Sequence, residues 1–244
     1  MAAMTDPVAD DIARVVTNLD VAALREAYRR QNEFLALERV LPESLVARLV
    51  ADVERVRPAV HRTYIPKHKK GGSVSAHALA ADAPAILTLY RAPALRDLLR
   101  AITGAPLDCC PPRDPHACAL YFYTEPGDHI GFHYDTSYYR GTRYTVLVGL
   151  VERSSSRLVC RLYEDDPVRE TVELRLRTEP GTLVLFNGDK LWHAITPLGV
   201  AEERISLTLE YVTDPSMSRV MRFVSDMKDA IAYFGFRGVF RRRR

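Results

Sequence analysis

Two hydrophobic patterns divide the chain. In the first half, apolar residues recur with the three-to-four-residue period of amphipathic helices, within residues 11–28, 41–56, 83–90 and 93–102. From residue 117 onward the pattern changes to short β-branched and aromatic runs separated by turn residues. These runs cover residues 119–123, 144–151, 158–163, 171–176, 182–186 and 205–212. The patterns predict helices that support a β-sandwich or barrel, and a final helix over about residues 215–233.

The segment 57–75 fits neither pattern. It contains two prolines, two glycines and the basic cluster Lys67, His68, Lys69 and Lys70, so we predict a long loop. Long loops in compact domains are often functional. This loop could contact a substrate carboxylate or close as a lid, although a run of charges is more often a solvated surface.

Length and composition are those of one globular domain. A β-rich chain of 244 residues commonly forms a single domain. We therefore predict one domain over residues 1–244, with mainly helical support and a loop in 1–110, the β core in 117–212 and a C-terminal helix with a basic tail in 215–244. Hydrophobic residues make up 47% of the chain, and no apolar run reaches the roughly 18 residues of a membrane span.

Charge and cysteine usage narrow the class of protein further. The net charge is only +3, and part of it lies in the tail Arg241–Arg244, so we predict neither a nucleic-acid nor a membrane partner. The four cysteines lack zinc-site spacing, and the acidic N-terminus resembles no export signal. These features predict a cytoplasmic protein.

Three side chains form a candidate metal site. His133 and Asp135 are two residues apart, so on a β-strand they point to the same face. His193 follows the predicted strand 182–186 and a turn, and it is the candidate third ligand. Two imidazoles and one carboxylate leave adjacent positions open on a metal, an arrangement associated with iron(II) oxygenases. His133, Asp135 and His193 are therefore the predicted catalytic metal ligands.

Arg204 and Ser206 lie on the strand predicted after His193. A 2-oxo acid would take two open metal positions and leave its far carboxylate in need of a cation. The guanidinium of Arg204 matches a carboxylate with two parallel donors. Ser206 would face the same way and could donate another hydrogen bond. We predict that Arg204 and Ser206 anchor the cosubstrate.

The His133-x-Asp135 pair, the distal His193 and Arg204-x-Ser206, in this order, resemble the iron(II)/2-oxoglutarate-dependent oxygenases. The resemblance implies an α+β protein with a double-stranded β-helix core of the jelly-roll or cupin-like type, N-terminal supporting helices and a C-terminal helix. It also implies Fe(II), 2-oxoglutarate as cosubstrate and O2. The implied reaction hydroxylates an unactivated C–H bond and releases succinate and CO2.

Within that family, further residues resemble particular branches. Tyr123 matches a tyrosine that binds the cosubstrate in relatives resembling prolyl hydroxylases, although a tyrosine on a buried strand can also be core packing. The runs 121–139 and 228–237 are similar to bacterial enzymes of free amino acids, some of them radical halogenases. Those halogenases replace the aspartate ligand by Gly or Ala, so the presence of Asp135 implies hydroxylation. Relatives that repair alkylated bases carry an arginine where this chain has Glu210.

The substrate is predicted to be a small polar molecule, a free amino acid or a derivative. Glu125, Asp128 and His129 are candidates for binding a substrate amine or hydroxyl, although Pro126-Gly127-Asp128 is also an ordinary turn. Trp192 should point away from the metal by strand alternation. Two alternatives remain open: a peptide or protein hydroxylase, and a non-catalytic, metal-containing β-barrel that only binds ligands. The oligomeric state also remains open, a homodimer included.

Overall fold

The computed structural model describes residues 6–217. The helices in this part are α1 (Pro7–Thr17), α2 (Val21–Arg30), α3 (Glu43–Val56), α4 (Ala76–Asp82), α5 (Pro84–Arg91) and α6 (Pro93–Thr103). The helix predicted over residues 11–28 is in fact two helices, because Asn18 ends α1 and the Asp20 carboxylate caps α2 by accepting from the amide of Ala23 at 3.0 Å. The predictions of α3, α5 and α6 are confirmed within two residues, and the prediction missed α4.

Twelve strands of the described residues form one antiparallel sheet. They are β1 (Phe34–Leu37), β2 (His61–Ile65), β3 (Lys69–Val74), β4 (Asp108–Cys109), β5 (Cys118–Tyr123), β6 (His129–His133), β7 (Arg143–Arg153), β8 (Leu158–Leu162), β9 (Val172–Leu176), β10 (Leu183–Asn187), β11 (Trp192–Ile195) and β12 (Glu203–Val212). The main path of the sheet runs β1-β10-β7-β12-β5-β3-β6-β11-β8-β9, with β2 paired to β3 and β4 to β12. Every strand run predicted after residue 117 is present.

The sheet curls around a cavity. Side chains of β5, β6, β7, β8, β10, β11 and β12 all line the same cavity, so strands that are distant along the path face one another. The opposite face of the sheet packs against the helices in a large apolar core. This mixed helix-and-strand arrangement confirms the predicted jelly-roll core with supporting helices.

The segment predicted as a long loop is mostly a β-hairpin. β2 and β3 pair with each other, and β3 also pairs with β5 and β6. The glycines suggested a loop, but Gly72 instead allows close packing: a Cβ there would lie 2.5 Å from Val60 Cγ1. The prediction was therefore wrong, and the hairpin brings a basic strand to the centre of the sheet.

Strand β7 contains a bulge at Gly149 and Leu150, where its register with β12 shifts. Before the bulge, Thr145 faces the cavity. After it, the alternation is reversed, so Glu152 lies opposite Arg204. The bulge thus determines which acidic side chain reaches the interior.

The predicted C-terminal helix and the Arg241–Arg244 tail lie outside the described residues, apart from residues 215–217, which are not helical. Among the described residues, no helix has both the length and the apolar character that crossing a bilayer requires.

Candidate active site

His133, Asp135 and His193 come together at one end of the cavity. His133 ends β6 and is directly opposite His193 on β11 in the strand register. Asp135 lies just beyond β6, with its carboxylate oxygens 3.4 Å from Nε2 of His133 and 3.8 Å from Nε2 of His193. One donor atom of each residue lies within 4.8 Å of the other two. The three side chains can therefore hold one metal ion.

Backbone carbonyls orient both imidazoles. Nδ1 of His133 donates to the carbonyl of Gly131 at 2.8 Å, and Nδ1 of His193 donates to that of Leu191 at 3.0 Å. With Nδ1 protonated, Nε2 has a free lone pair that points toward Asp135. The donor set fits a divalent transition metal such as iron(II).

Burial and the interactions among the three side chains shift their pKa values. Burial lowers the pKa of His193 to about 4, so this imidazole is neutral at pH 7. Burial also acts to lower the pKa of His133, but the hydrogen bond and charge of Asp135 outweigh it and the pKa is raised. Burial would raise the pKa of Asp135, yet the neighbouring histidines and Thr145 hold it below its usual value. Asp135 is therefore an anionic ligand.

Thr145 connects the metal site to a second buried acid. Its hydroxyl lies 2.8 Å from Oδ2 of Asp135 and 2.9 Å from Oε2 of Glu210. Burial, together with the charge of Asp135, raises the pKa of Glu210 to about 8. Because a hydroxyl has only one hydrogen, Thr145 donates to Asp135 and accepts from protonated Glu210.

Arg204 is fully buried on β12, two residues before the cavity-lining Ser206, and does not itself line the cavity. Its Nη1 donates to Glu152 at 2.9 Å and its Nη2 to the hydroxyl of Thr178 at 2.8 Å. Nε of Arg204 and the hydroxyl of Ser206 are buried and have no partner among the described residues. Ser206 and the buried Tyr123 line the cavity. Unpaired buried donors of this kind fit the far carboxylate of a 2-oxo acid.

Two connected spaces meet at the triad. The inner cavity, which contains Ser206, leaves about 60 Å³ open to the centre of a water molecule. The outer pocket leaves about 470 Å³, and Lys69, Arg143 and Glu210 are among its lining residues. His133 and Asp135 line both spaces. The arrangement can hold one small ligand at each side of a metal.

The predicted substrate residues are not at this site, because Glu125, Asp128 and His129 line neither space. Asp128 is fully buried and structures its turn by accepting from the amides of Thr124 and Glu125. Nδ1 of His129 bonds to the carbonyl of residue 127 at 2.8 Å. The ordinary-turn interpretation explains these side chains.

Trp192 lies on the outer face of β11, as predicted. Its ring stacks on Phe132 with centroids 6.0 Å apart and contacts Tyr134 at 4.7 Å. Strand alternation thus separates an aromatic outer face from the metal-binding inner face.

The sequence reasoning missed several polar residues of the site: Lys69, Arg143, Thr145, Glu152 and Thr178. Glu210 could have been predicted, because it follows Arg204 by six residues on β12 and an even spacing places both side chains on the same face of the strand. Lys69 was hidden because its strand was interpreted as a loop.

Comparison with known proteins places the chain in a family. A family model described as halogenase D matches residues 16–141, about half of the chain. No curated protein matches the sequence.

Solved structures share the fold at low sequence identity. The α-ketoglutarate-dependent epimerase SnoN from nogalamycin biosynthesis aligns with a TM-score of 0.64 and 15% identity over 78% of this chain and 81% of its own. A Pseudomonas putida prolyl-4-hydroxylase has a TM-score of 0.59 and 20% identity over 80% and 98%. A 2OG-Fe(II) oxygenase-family oxidoreductase from Burkholderia pseudomallei has a TM-score of 0.61 and 14% identity over 83% and 95%. The chain belongs to the halogenase D family and has the fold of the 2-oxoglutarate-dependent iron(II) oxygenases.

Proposed function

We propose that this protein is an Fe(II)/2-oxoglutarate-dependent dioxygenase that hydroxylates a C–H bond of a small polar metabolite, a free amino acid or a close derivative. The convergence of His133, Asp135 and His193 within 4.8 Å carries the proposal. The family match and the shared fold support the same reaction class.

Each part of the site has a role in this proposal. His133, Asp135 and His193 hold the iron, and Arg204 with Ser206 and Tyr123 receives the far end of 2-oxoglutarate. Iron with 2-oxoglutarate and O2 supplies the oxidation that replaces a C–H hydrogen by hydroxyl, with succinate and CO2 as products. The buried walls of the inner cavity, including Leu158, exclude water from the cosubstrate.

Asp135 decides between hydroxylation and halogenation. The family is described as halogenase D, but halogenation needs a position on the metal for a halide. Here the Asp135 carboxylate faces both histidines and is held by Thr145. A carboxylate ligand in that position supports hydroxylation.

The outer pocket supports a small substrate rather than a polypeptide. Its 470 Å³ lies within the range of pockets that enclose small molecules. Its polar lining, which includes Lys69, Arg143 and Glu210, suits a charged metabolite. A peptide hydroxylase of the same fold remains the second candidate, since the P. putida prolyl-4-hydroxylase has this fold.

The test is a screen of the twenty common amino acids for stimulated succinate release with iron(II), followed by mass spectrometry of each compound that responds. We expect at least one amino acid to gain a single oxygen atom. Stimulation only by peptides would transfer the proposal to the second candidate. Absence of succinate release with every compound would favour a binding module without catalysis.

His133→Ala should abolish succinate release, because two remaining ligands hold iron weakly. His129→Ala is the matched control, since this histidine lies on the same strand and lines neither space. Full activity of the His133→Ala variant would show that the iron is held elsewhere.

A further inference from the structure

Lys69 is a positively charged residue in the outer pocket and has no acidic partner in the part of the chain that the structure describes. It lies on β3 opposite Ile130 of β6, and both side chains line the pocket. The Lys69 ammonium is 4.9 Å from the centre of the Tyr121 ring. No carboxylate of the described residues forms an ion pair with it, and burial lowers the pKa of its amine to about 8.

The neighbouring Lys70 is different. Strand alternation turns its side chain to the opposite face, where its ammonium donates to the carbonyl of Pro126 at 2.8 Å. Glu125 and Asp128 lie within 3.7 and 3.8 Å of the same ammonium. Lys70 therefore has acidic partners among residues 6–217, whereas Lys69 has none there.

A partly buried cation without a counter-ion is costly, because it has lost water without gaining an opposite charge. A ligand with a negative charge would remove that cost. The cosubstrate is an unsuitable source of this charge, because its far carboxylate is expected beside Ser206 of the inner cavity, where the unpaired donors of Arg204 and Ser206 lie. The charge must then come from a ligand of the outer pocket.

We propose that Lys69 is the anion-binding group of the outer pocket and that it binds a carboxylate of the substrate. This inference rests on the proposed function for the identity of the pocket, and it adds the residue that selects the substrate. One ammonium matches one carboxylate. A phosphate dianion would need a second cation, and the nearby Arg143 is already paired with Asp114 at 2.9 Å.

The position of Lys69 gives it a role in orientation. Lys69, His133 and Asp135 line the same outer pocket, so the anion-binding group and the metal site face one space. A substrate held there by its carboxylate would direct a carbon atom some distance along its chain toward the triad. Lys69 would then select acids over the corresponding amines.

The first test measures binding without catalysis. The Mn(II)- and 2-oxoglutarate-loaded protein is treated with acetic anhydride, and mass spectrometry gives the acetylation rates of Lys69 and Lys70. Each common amino acid is added in turn, with its amide and its decarboxylated amine as matched probes. We expect at least one amino acid to slow Lys69 acetylation relative to Lys70 by about tenfold, and its amide and amine to have no effect.

Two results of this experiment would overturn the proposal. One is that no amino acid changes the ratio of the Lys69 rate to the Lys70 rate. The other is that 2-oxoglutarate alone already protects Lys69 fully, which would make Lys69 a cosubstrate contact.

The second test uses Lys69→Met, with Lys70→Met as the control on the same strand. With an amino acid found to release succinate, Lys69→Met should raise its KM about tenfold to a hundredfold, while kcat and the KM for 2-oxoglutarate stay close to wild type. Lys70→Met should leave all three constants unchanged. The Tm of Lys69→Met without substrate should stay close to that of wild type, because the change removes both an ammonium without an acidic partner and its contact with the Tyr121 ring.

The two tests separate the proposals. Protection of Lys69 without succinate release would contradict the proposed reaction and support the carboxylate site. Succinate release with an unchanged KM in Lys69→Met would support the reaction and refute the carboxylate site.

Discussion

Thr145 controls the orientation of the Asp135 carboxylate. The Thr145 hydroxyl donates a hydrogen bond to Oδ2 of Asp135. The same hydroxyl also contacts Glu210, which is neutral when protonated. The carboxylate is therefore held by a neutral hydroxyl, and protonated Glu210 places no second negative charge beside it. Groups that orient a metal ligand in this way commonly change metal affinity by about tenfold to a hundredfold.

Thr145→Val should reduce iron(II) affinity by about tenfold to a hundredfold, since valine has the same shape but no hydroxyl. Metal binding can be measured by titration calorimetry with Mn(II) in place of iron. Thr208→Val is the control, because Thr208 lines the same cavity but bonds the carbonyl of Ala119. Equal affinities for Thr145→Val and wild type would mean that Asp135 is oriented by other groups.

In the proposed function, Arg204 pairs with Glu152 and also binds the cosubstrate, and a substitution can separate these two roles. Its charge is paired with Glu152, and both side chains are fully buried. Arg204→Lys keeps a positive charge beside Glu152 but loses the planar donor geometry that suits a carboxylate. We expect the KM for 2-oxoglutarate to rise about tenfold or more, with a smaller change in Tm. A normal KM would show that the cosubstrate carboxylate is bound by another group.

Among single residues, the sequence allowed prediction of those whose side-chain type and spacing together indicate one kind of site. The metal triad and the Arg204-Ser206 pair are recognisable because strand alternation brings i and i+2 to one face. Thr145 and Lys69 were not predictable in the same way. Whether a threonine or lysine reaches a cavity depends on which strands are neighbours in the curled sheet, and local pattern contains no information about that pairing.

Among the elements, the bulged strand β7 has the largest effect on the site. Gly149 allows the chain 178–179 to cross the strand closely: a Cβ at Gly149 would lie 2.3 Å from the carbonyl oxygen of Thr178 and 2.5 Å from that of Glu179. The same crossing brings the Thr178 hydroxyl to Arg204. The bulge and the crossing chain together build the pocket around the guanidinium.

Gly149→Ala should destabilise the protein by about 1–3 kcal/mol, because the added methyl group meets rigid backbone rather than a movable side chain. Urea unfolding followed by circular dichroism would measure the loss. Gly71→Ala is a milder control, since its nearest atom would be at 3.3 Å. If both variants lost the same stability, the close crossing at Gly149 would not be the cause.

The sequence predicted most elements of the β half but not their irregularities. The strand predictions were correct because the hydrophobic pattern within a strand and the Pro, Gly and Asn residues that bound it are both local signals. The hairpin β2–β3 was missed because Gly71 and Gly72 are close-packing residues there and not turn residues. The bulge at Gly149 was invisible because strict alternation assumes an unshifted register.

For the whole molecule, the central strands β5, β7, β10 and β12 of the curled sheet are buried on both faces. One face packs on the helices through an apolar core, and the other surrounds the polar cavity. A metal that binds the folded triad but not the unfolded chain must therefore stabilise the entire fold.

Mn(II) at a hundred times its Kd should add about 2.7 kcal/mol to the free energy of unfolding and raise Tm. Asp135→Ala should remove this gain, and Asp97→Ala, which changes an exposed carboxylate on α6, should retain it. The measurement is a thermal melt with and without Mn(II). A gain that survives Asp135→Ala would place the stabilising ion at a different site.

Strand β12 extends along the whole site. Every second residue of this strand faces the same side: Arg204, Ser206, Thr208 and Glu210. At about 3.4 Å per residue, Arg204 and Glu210 are about 20 Å apart. In the proposed function, the Arg204 end lies beside the cosubstrate and the Glu210 end lines the outer pocket for the substrate. Substitutions at the Glu210 end can therefore change which molecules the outer pocket accepts without contacting the Arg204 end.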